Sequence, residues 1–301
     1  MKSKSQNNAN RVLTKGIDMK TVSTIMAAAL SSLIWISTAV GQQSRGDKVS
    51  VPLTDPSRPV FLKVGLLSGS ITVKGYSGKE VVVEATTHPE DDDEGDNDDD
   101  TANKRKGLRL IPNSSTGLTV EEDNNTVEVN NSGRWGSRRV DVDIQVPANC
   151  SMKLSTVNDG NIVVTGVNGE LDVNNTNEAV TLKDISGSIV AHALNGDVLV
   201  TMNSVNSDKP MSFSSLNGEL DVTLPASIKA TVNISDEQGE VYSDFDLQLQ
   251  KSNPVVEESS KKKGGKYKVT MDKDMKGTIN GGGQEIQFKT FNGNIYIRKG
   301  K

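Results

Sequence analysis

From Gly160 onward, aliphatic residues stand in two columns that repeat every nine positions. Each unit is led by Gly160, Gly169, Glu178, Gly187 or Gly196, without a slip across five units. Two places after the leaders come Ile162, Leu171, Val180, Ile189 and Val198, and four places after come Val164, Val173, Leu182, Ala191 and Val200. Asn161, Glu170, Asp172, Thr181, Ser188 and Asp197 between them are mostly polar, and such alternation predicts a strand with one face inward. Val167, Thr176, Ile185 and Leu194 supply a second expected inward contact before the next turn. Asn-Gly readily takes the positive φ of a tight turn, so each nonapeptide reads as one strand and one corner.

A unit this short cannot bury its own aliphatic face, so neighbours must stack on it, as in a solenoid. The sixth position alternates between Gly166 and Asp184 on one hand and Asn175 and Ala193 on the other, pointing to two nonapeptides per coil. The frame returns after insertions. Met211, Phe213 and Leu216 fill inward positions ahead of Gly218, with Leu220 and Val222 after it. Val232 and Ile234 precede Gly239, with Val241 beyond, and Ile286, Phe288 and Phe291 precede Gly293, with Ile295 and Ile297 beyond. A β-sandwich with coincidental spacing would not explain two unbroken columns.

The expected architecture is therefore all-β: a β-solenoid or β-helix of nine-residue strand-turn units over residues 146–301, with a loop insertion at 251–265. Residues 42–145 form an N-terminal β-rich cap, with an acidic loop at 90–106. Within it Gly69 and Gly78 are also nine apart, and alternating segments such as "EVVVEATT" and "RRVDVDIQVP" read as sheet that continues or caps the array.

Composition adds an address. Lys2, Lys4, Arg11, Lys15 and Lys20 precede the apolar run "IMAAALSSLIWISTAV", which ends in Ala39-Val40-Gly41. That order predicts a secretory signal peptide over residues 1–41, with Met19 as the initiator. An uncleaved anchor is the competing reading, but the run is short for a membrane span. The mature chain is then expected to carry no integral membrane span. With aromatics at only 4%, the core must be aliphatic. Cys150 is the only cysteine, so no internal disulfide or paired-cysteine metal site is available.

Candidate chemistry is sparse. Glu90 to Asp100 holds nine acids in eleven residues but lacks the order of a calcium loop, and reads as a solvated segment. The calcium-binding nonapeptides of RTX proteins need paired glycines and an aspartate in every unit, which these units lack. Trp135, Arg138 and Arg139 form a candidate partner contact, with burial of the tryptophan against the sheet as the alternative. His88 and His192 have no second histidine near them in sequence, and no nucleophile elbow, phosphate loop or zinc-protease motif is present. We therefore expect no enzyme activity, catalytic residue, cofactor or metal. The formal net charge of −5 and the few aromatics argue against a nucleic-acid partner. The residues singled out are the structural corners Gly160, Gly169, Gly187, Gly196, Gly218, Gly239 and Gly293.

The stretch "VDIQVPANCSMKLSTVNDGNIVVTGVNGELDV", the recurring Asn-Gly corners and the closing "GTINGGGQEIQFKTFNGNIYIRKG" resemble the candidate-adhesin family also called DUF4097, found in exported bacterial proteins. The resemblance spans Val60 to Gly300, with "GLRLIP" after an acidic insert also fitting, and departs from the family at Glu178 and in the length of that insert. It implies a β-solenoid without established catalytic residues. The expected function is a non-catalytic exported protein that binds cell-envelope or surface components, glycan or protein, in the periplasm, at the cell surface or outside the cell. A carbohydrate-active β-helix enzyme and a periplasmic accessory in envelope sensing are the alternatives.

Overall fold

The computed structural model describes residues 46–88, 116–131, 139–250, 255–257, 268–270 and 274–301. Among them every regular element is a strand, and one continuous sheet of twenty strands folds into a nearly closed, barrel-like enclosure.

Two parallel ladders build that sheet. The first runs through Thr126–Asn131, Val60–Ser68, Cys150–Asn158, Asn168–Asn175, the second half of Val180–Ala193, Met211–Ser215, Gln284–Thr290 and Ala230–Asp236. The second runs through Val140–Pro147, Ile71–Tyr76, Ile162–Thr165, the first half of Val180–Ala193, Val198–Val205, Leu220–Leu224, Ile295–Lys299 and Val241–Ser243. The chain passes from the first ladder to the second and back at each tier, and Val180–Ala193 belongs to both.

Pairing skips one nonapeptide. Ile162 lies beside Val180 and Val180 beside Val198, while Leu171 lies beside Ile189. Consecutive nonapeptides thus face each other across the core, and every second one is a hydrogen-bonded neighbour. Chain order is broken at both ends: Thr126–Asn131 and Val140–Pro147 lie outside the earlier Val60–Ser68 and Ile71–Tyr76, and Gln284–Thr290 and Ile295–Lys299 lie between the strands of 211–224 and those of 230–243.

The enclosed space is filled by the predicted columns. Ile162, Leu171, Val180, Ile189 and Val198 are all buried, as are Val164, Val173, Leu182, Ala191 and Val200. Each fully buried aliphatic side chain contributes roughly 1.5–3 kcal/mol, so the many tiers offset the scarcity of aromatics. Phe213 and Phe288, stacked with centroids 5.5 Å apart, are the two largest fully buried side chains among the described residues.

Not every apolar residue expected inside is there. Val167 and Ile185 are buried, but Thr176 and Leu194 are half-buried, and Leu216 and Phe291 are each 42% exposed. Strand alternation runs unbroken to the corner. It turns Asn175, Ala193, Ser215 and Thr290 inward and the next residue outward, so backbone parity overrides side-chain hydropathy.

Among the described residues, three of the four ladder ends are covered by antiparallel strands, the exception being Val241–Ser243. Glu80–Thr87 and Gly46–Pro52 cover Val140–Pro147, and Leu118–Asp123 covers Thr126–Asn131. Met275–Ile279 and Gln248–Leu249 extend the first ladder beyond Ala230–Asp236. Val255–Glu257, inside the span read as a loop insertion, pairs antiparallel with Lys268–Thr270 just beyond it as a separate two-stranded sheet.

Candidate functional site

The corner that follows each first-ladder strand stacks on its equivalent in the tier below, and glycine is needed there mainly because backbones meet. A Cβ on Gly218 would lie 2.2 Å from the Gly196 carbonyl oxygen, and one on Gly293 would lie 2.2 Å from that of Gly218. The expectation of a positive φ holds for Gly187 and Gly293, but Gly160, Gly169, Gly196, Gly218 and Gly239 do not adopt it. Close approach is the stronger constraint at these glycines, and Glu178 is the one first-ladder corner among the described residues between Gly160 and Gly218 that carries a side chain.

Two polar ladders flank this column. On the core side, Thr156 donates to the Gly69 carbonyl at 2.9 Å, Asn175 to Gly160 at 3.0 Å, Ser215 to Gly196 at 2.9 Å and Thr290 to Gly218 at 3.1 Å. These buried groups satisfy carbonyls that the turn removes from the sheet. Asp236 occupies the same column in register with Thr290, and its Oδ2 is buried without a hydrogen bond.

On the solvent side stands a chain of amides. Asn177 donates to Asn158 at 2.7 Å, Asn195 to Asn177 at 3.1 Å, Asn217 to Asn195 at 2.8 Å and Asn292 to Asn217 at 2.8 Å. Immediately before these asparagines come Val157, Thr176, Leu194, Leu216 and Phe291, with Leu67 in the tier below Val157. Leu67, Val157, Leu216 and Phe291 are exposed. The corner therefore presents a mostly apolar column, interrupted by Thr176, beside an amide column, with successive tiers at the spacing of strands in a sheet, about 4.8 Å. Sequence reading took the asparagines as turn formers alone. Their recurrence at successive corners, directly before Gly196, Gly218 and Gly293, is the signal available in the sequence.

A second outward cluster closes the other ladder. Tyr242 and Tyr296 are register partners whose rings stack at 5.2 Å with planes 9° apart. Arg298 lies 5.2 Å from the Tyr296 centroid and grips Asp221 with two bonds of 2.7 and 2.9 Å. The Tyr242 hydroxyl donates to Glu240, and that bond, with the carboxylate's charge, raises the phenol's pKa.

The remaining candidates are dispersed. Trp135, Arg138 and the acidic loop at 90–106 lie outside the described residues. Arg139 binds Asp141 at 3.1 Å, and His88 meets the same carboxylate at 2.6 Å. Partial burial works against the charged form of Asp141, but the Ser70 amide and Arg139 outweigh it and hold the pKa below the usual value. His192 is half-buried against the Ser214 hydroxyl at 2.8 Å. Cys150 is buried, and desolvation pushes its thiol up to about 12, so it is packing and not a nucleophile. Asp172 pairs with Lys153 at 2.9 Å, whereas Asp197 accepts the Glu219 amide at a corner, so these acids share no groove. Among the described residues no three His, Cys, Asp or Glu side chains group to hold a metal.

No family model matches the chain, and no curated protein matches it. Among solved structures, it is similar to a candidate cell adhesion protein from Clostridium sporogenes, with 14% identity over 85% of this chain and 100% of that one, at a TM-score of 0.41. A candidate adhesin from Bacteroides fragilis is 11% identical over 85% of this chain and 97% of that one, at 0.34. A candidate lipid-binding protein from Parabacteroides distasonis is 10% identical over 86% and 98%, at 0.28. These likenesses are too distant to transfer a ligand or an activity.

Proposed function

We propose that this chain is a non-catalytic β-solenoid, each coil made of two nonapeptides, that is exported after loss of a signal peptide at 1–41 and binds a repetitive component of the cell envelope or surface. Membership of the DUF4097 family is part of the same reading. The observation that carries it is the paired column at the corner. Exposed Leu67 and Val157, half-buried Thr176 and Leu194, and exposed Leu216 and Phe291 follow one another tier by tier beside a five-member asparagine ladder. Evenly spaced amides flanked by two exposed apolar pairs suit a partner that is itself periodic, such as a glycan or a strand-rich protein.

The test is retention of purified residues 42–301 on envelope fractions and on glycan arrays. Binding that Leu216→Ser together with Phe291→Ser weakens supports the reading, and no retention on any of these materials overturns it. Export is checked separately by fractionating cells that carry a C-terminally tagged chain, where an intracellular full-length product would exclude it.

A further inference from the structure

We propose that Tyr242 is the stacking platform of a saccharide subsite at the end of the second ladder, selective for the apolar face of a neutral or amino-substituted pyranose. The proposal rests on the envelope-binding reading and gives it a ligand class. Val241–Ser243 pairs with Ile295–Lys299 and, among the described residues, with no other strand. Tyr296 covers one face of the Tyr242 ring, so the opposite face looks past the last tier, and the residue is 48% exposed. A flat ring left open in this way matches the C–H groups that a pyranose displays on one side.

The rim of the ring supplies the polar partners. Glu240 accepts the Tyr242 hydroxyl with one carboxylate oxygen, and its other oxygen has no partner among the described residues. That oxygen is placed to accept from a sugar hydroxyl. The arrangement is held before any ligand arrives. Asn294 accepts the Glu240 amide at 3.0 Å and donates to the Tyr296 hydroxyl at 3.1 Å, while Asp221 clamps Arg298 beside the same ring. Such preorganisation lowers the ordering cost of binding. Glu240 bonds the platform hydroxyl, and Asp221 and Asp244 both act on Arg298, the cation beside the Tyr296 ring, so negative charge prevails at the rim and disfavours anionic sugars.

The experiment compares the full chain with Tyr242→Leu, Tyr242→Phe and Glu240→Gln on an array of neutral, amino-sugar and uronic-acid oligosaccharides, with affinities from calorimetry on the best-bound member. Neutral or amino-sugar members should dominate. Tyr242→Leu should weaken binding about tenfold or more, while Tyr242→Phe, which keeps the flat face, should stay within about threefold. Glu240→Gln should fall between them. Thermal midpoints within about 2 °C of the parent would assign the loss to the site. If Tyr242→Leu lowers the midpoint further, Glu240→Gln and Tyr242→Phe carry the same decision. The proposal is overturned if no saccharide binds, if uronic acids dominate, or if Tyr242→Leu binds as the parent does. It is overturned too if that variant abolishes only self-association. Retention on envelope protein unaffected by the Tyr242 variants would sink the subsite and leave the envelope reading standing.

Discussion

Asn175 and Asn177 are two residues apart and do opposite work. Asn175 is buried, and its amide donates to the carbonyls of Gly160 and Ala179. Asn177 is exposed and bonds only to its counterparts in adjoining tiers. The inner ladder closes the backbone's account with water, because a turn carbonyl left bare in the core costs about 1–3 kcal/mol. The outer ladder competes with solvent at every bond, so its contribution to stability is small and its regular display is what distinguishes it. The same side chain thus serves folding on one side of the corner and surface on the other.

Substitutions on and around the corner test that division, beginning with the column that separates the two ladders. Gly218→Val should abolish cooperative folding, since its Cβ alone would meet the Gly196 carbonyl at 2.2 Å. Circular dichroism through a urea titration would reveal a surviving native transition if the stacking account were wrong. Leu220→Ala, one step into the core, should cost about 2–5 kcal/mol, read from the same titration. Asn175→Ala should cost about 1–3 kcal/mol, against less than about 0.5 kcal/mol for Asn195→Ala in the outer ladder. Equal losses for these two would erase the proposed distinction. The smallest effect is expected at Asp141. Its folded pKa is depressed, so its stabilising share is present above the unfolded value near 3.8 and is lost as pH falls through the folded one. Thermal midpoints measured from pH 5 down to pH 2.5 should decline less steeply in Asp141→Asn than in the parent.

The aliphatic columns were legible because burial repeats in the sequence at a constant interval, as Ile162, Val180 and Val198 show. The skipped pairing left only the alternation of Asn175 and Ala193 with Gly166 and Asp184. Leu216 and Phe291 misled, because hydropathy marks them as core while strand parity sends them outward. The stacked Tyr242 and Tyr296 gave no local signal. They meet only because a later pair of strands slides between two earlier tiers. Asn158, Asn177, Asn195, Asn217 and Asn292 were visible as residues, but the pattern that joins them exists only once the strands are paired.

That displaced pair of strands has a bearing on biosynthesis. Residues 230–236 reach their parallel partner only when residues 284–290 have been made, and the preceding tier awaits the same segment. A nascent polypeptide can wind its earlier turns as it emerges, yet it must leave a slot near the far end for a keystone delivered last. Until that wedge arrives, Met211, Phe213, Val232 and Ile234 lack the Ile286 and Phe288 neighbours that cover them in the finished molecule.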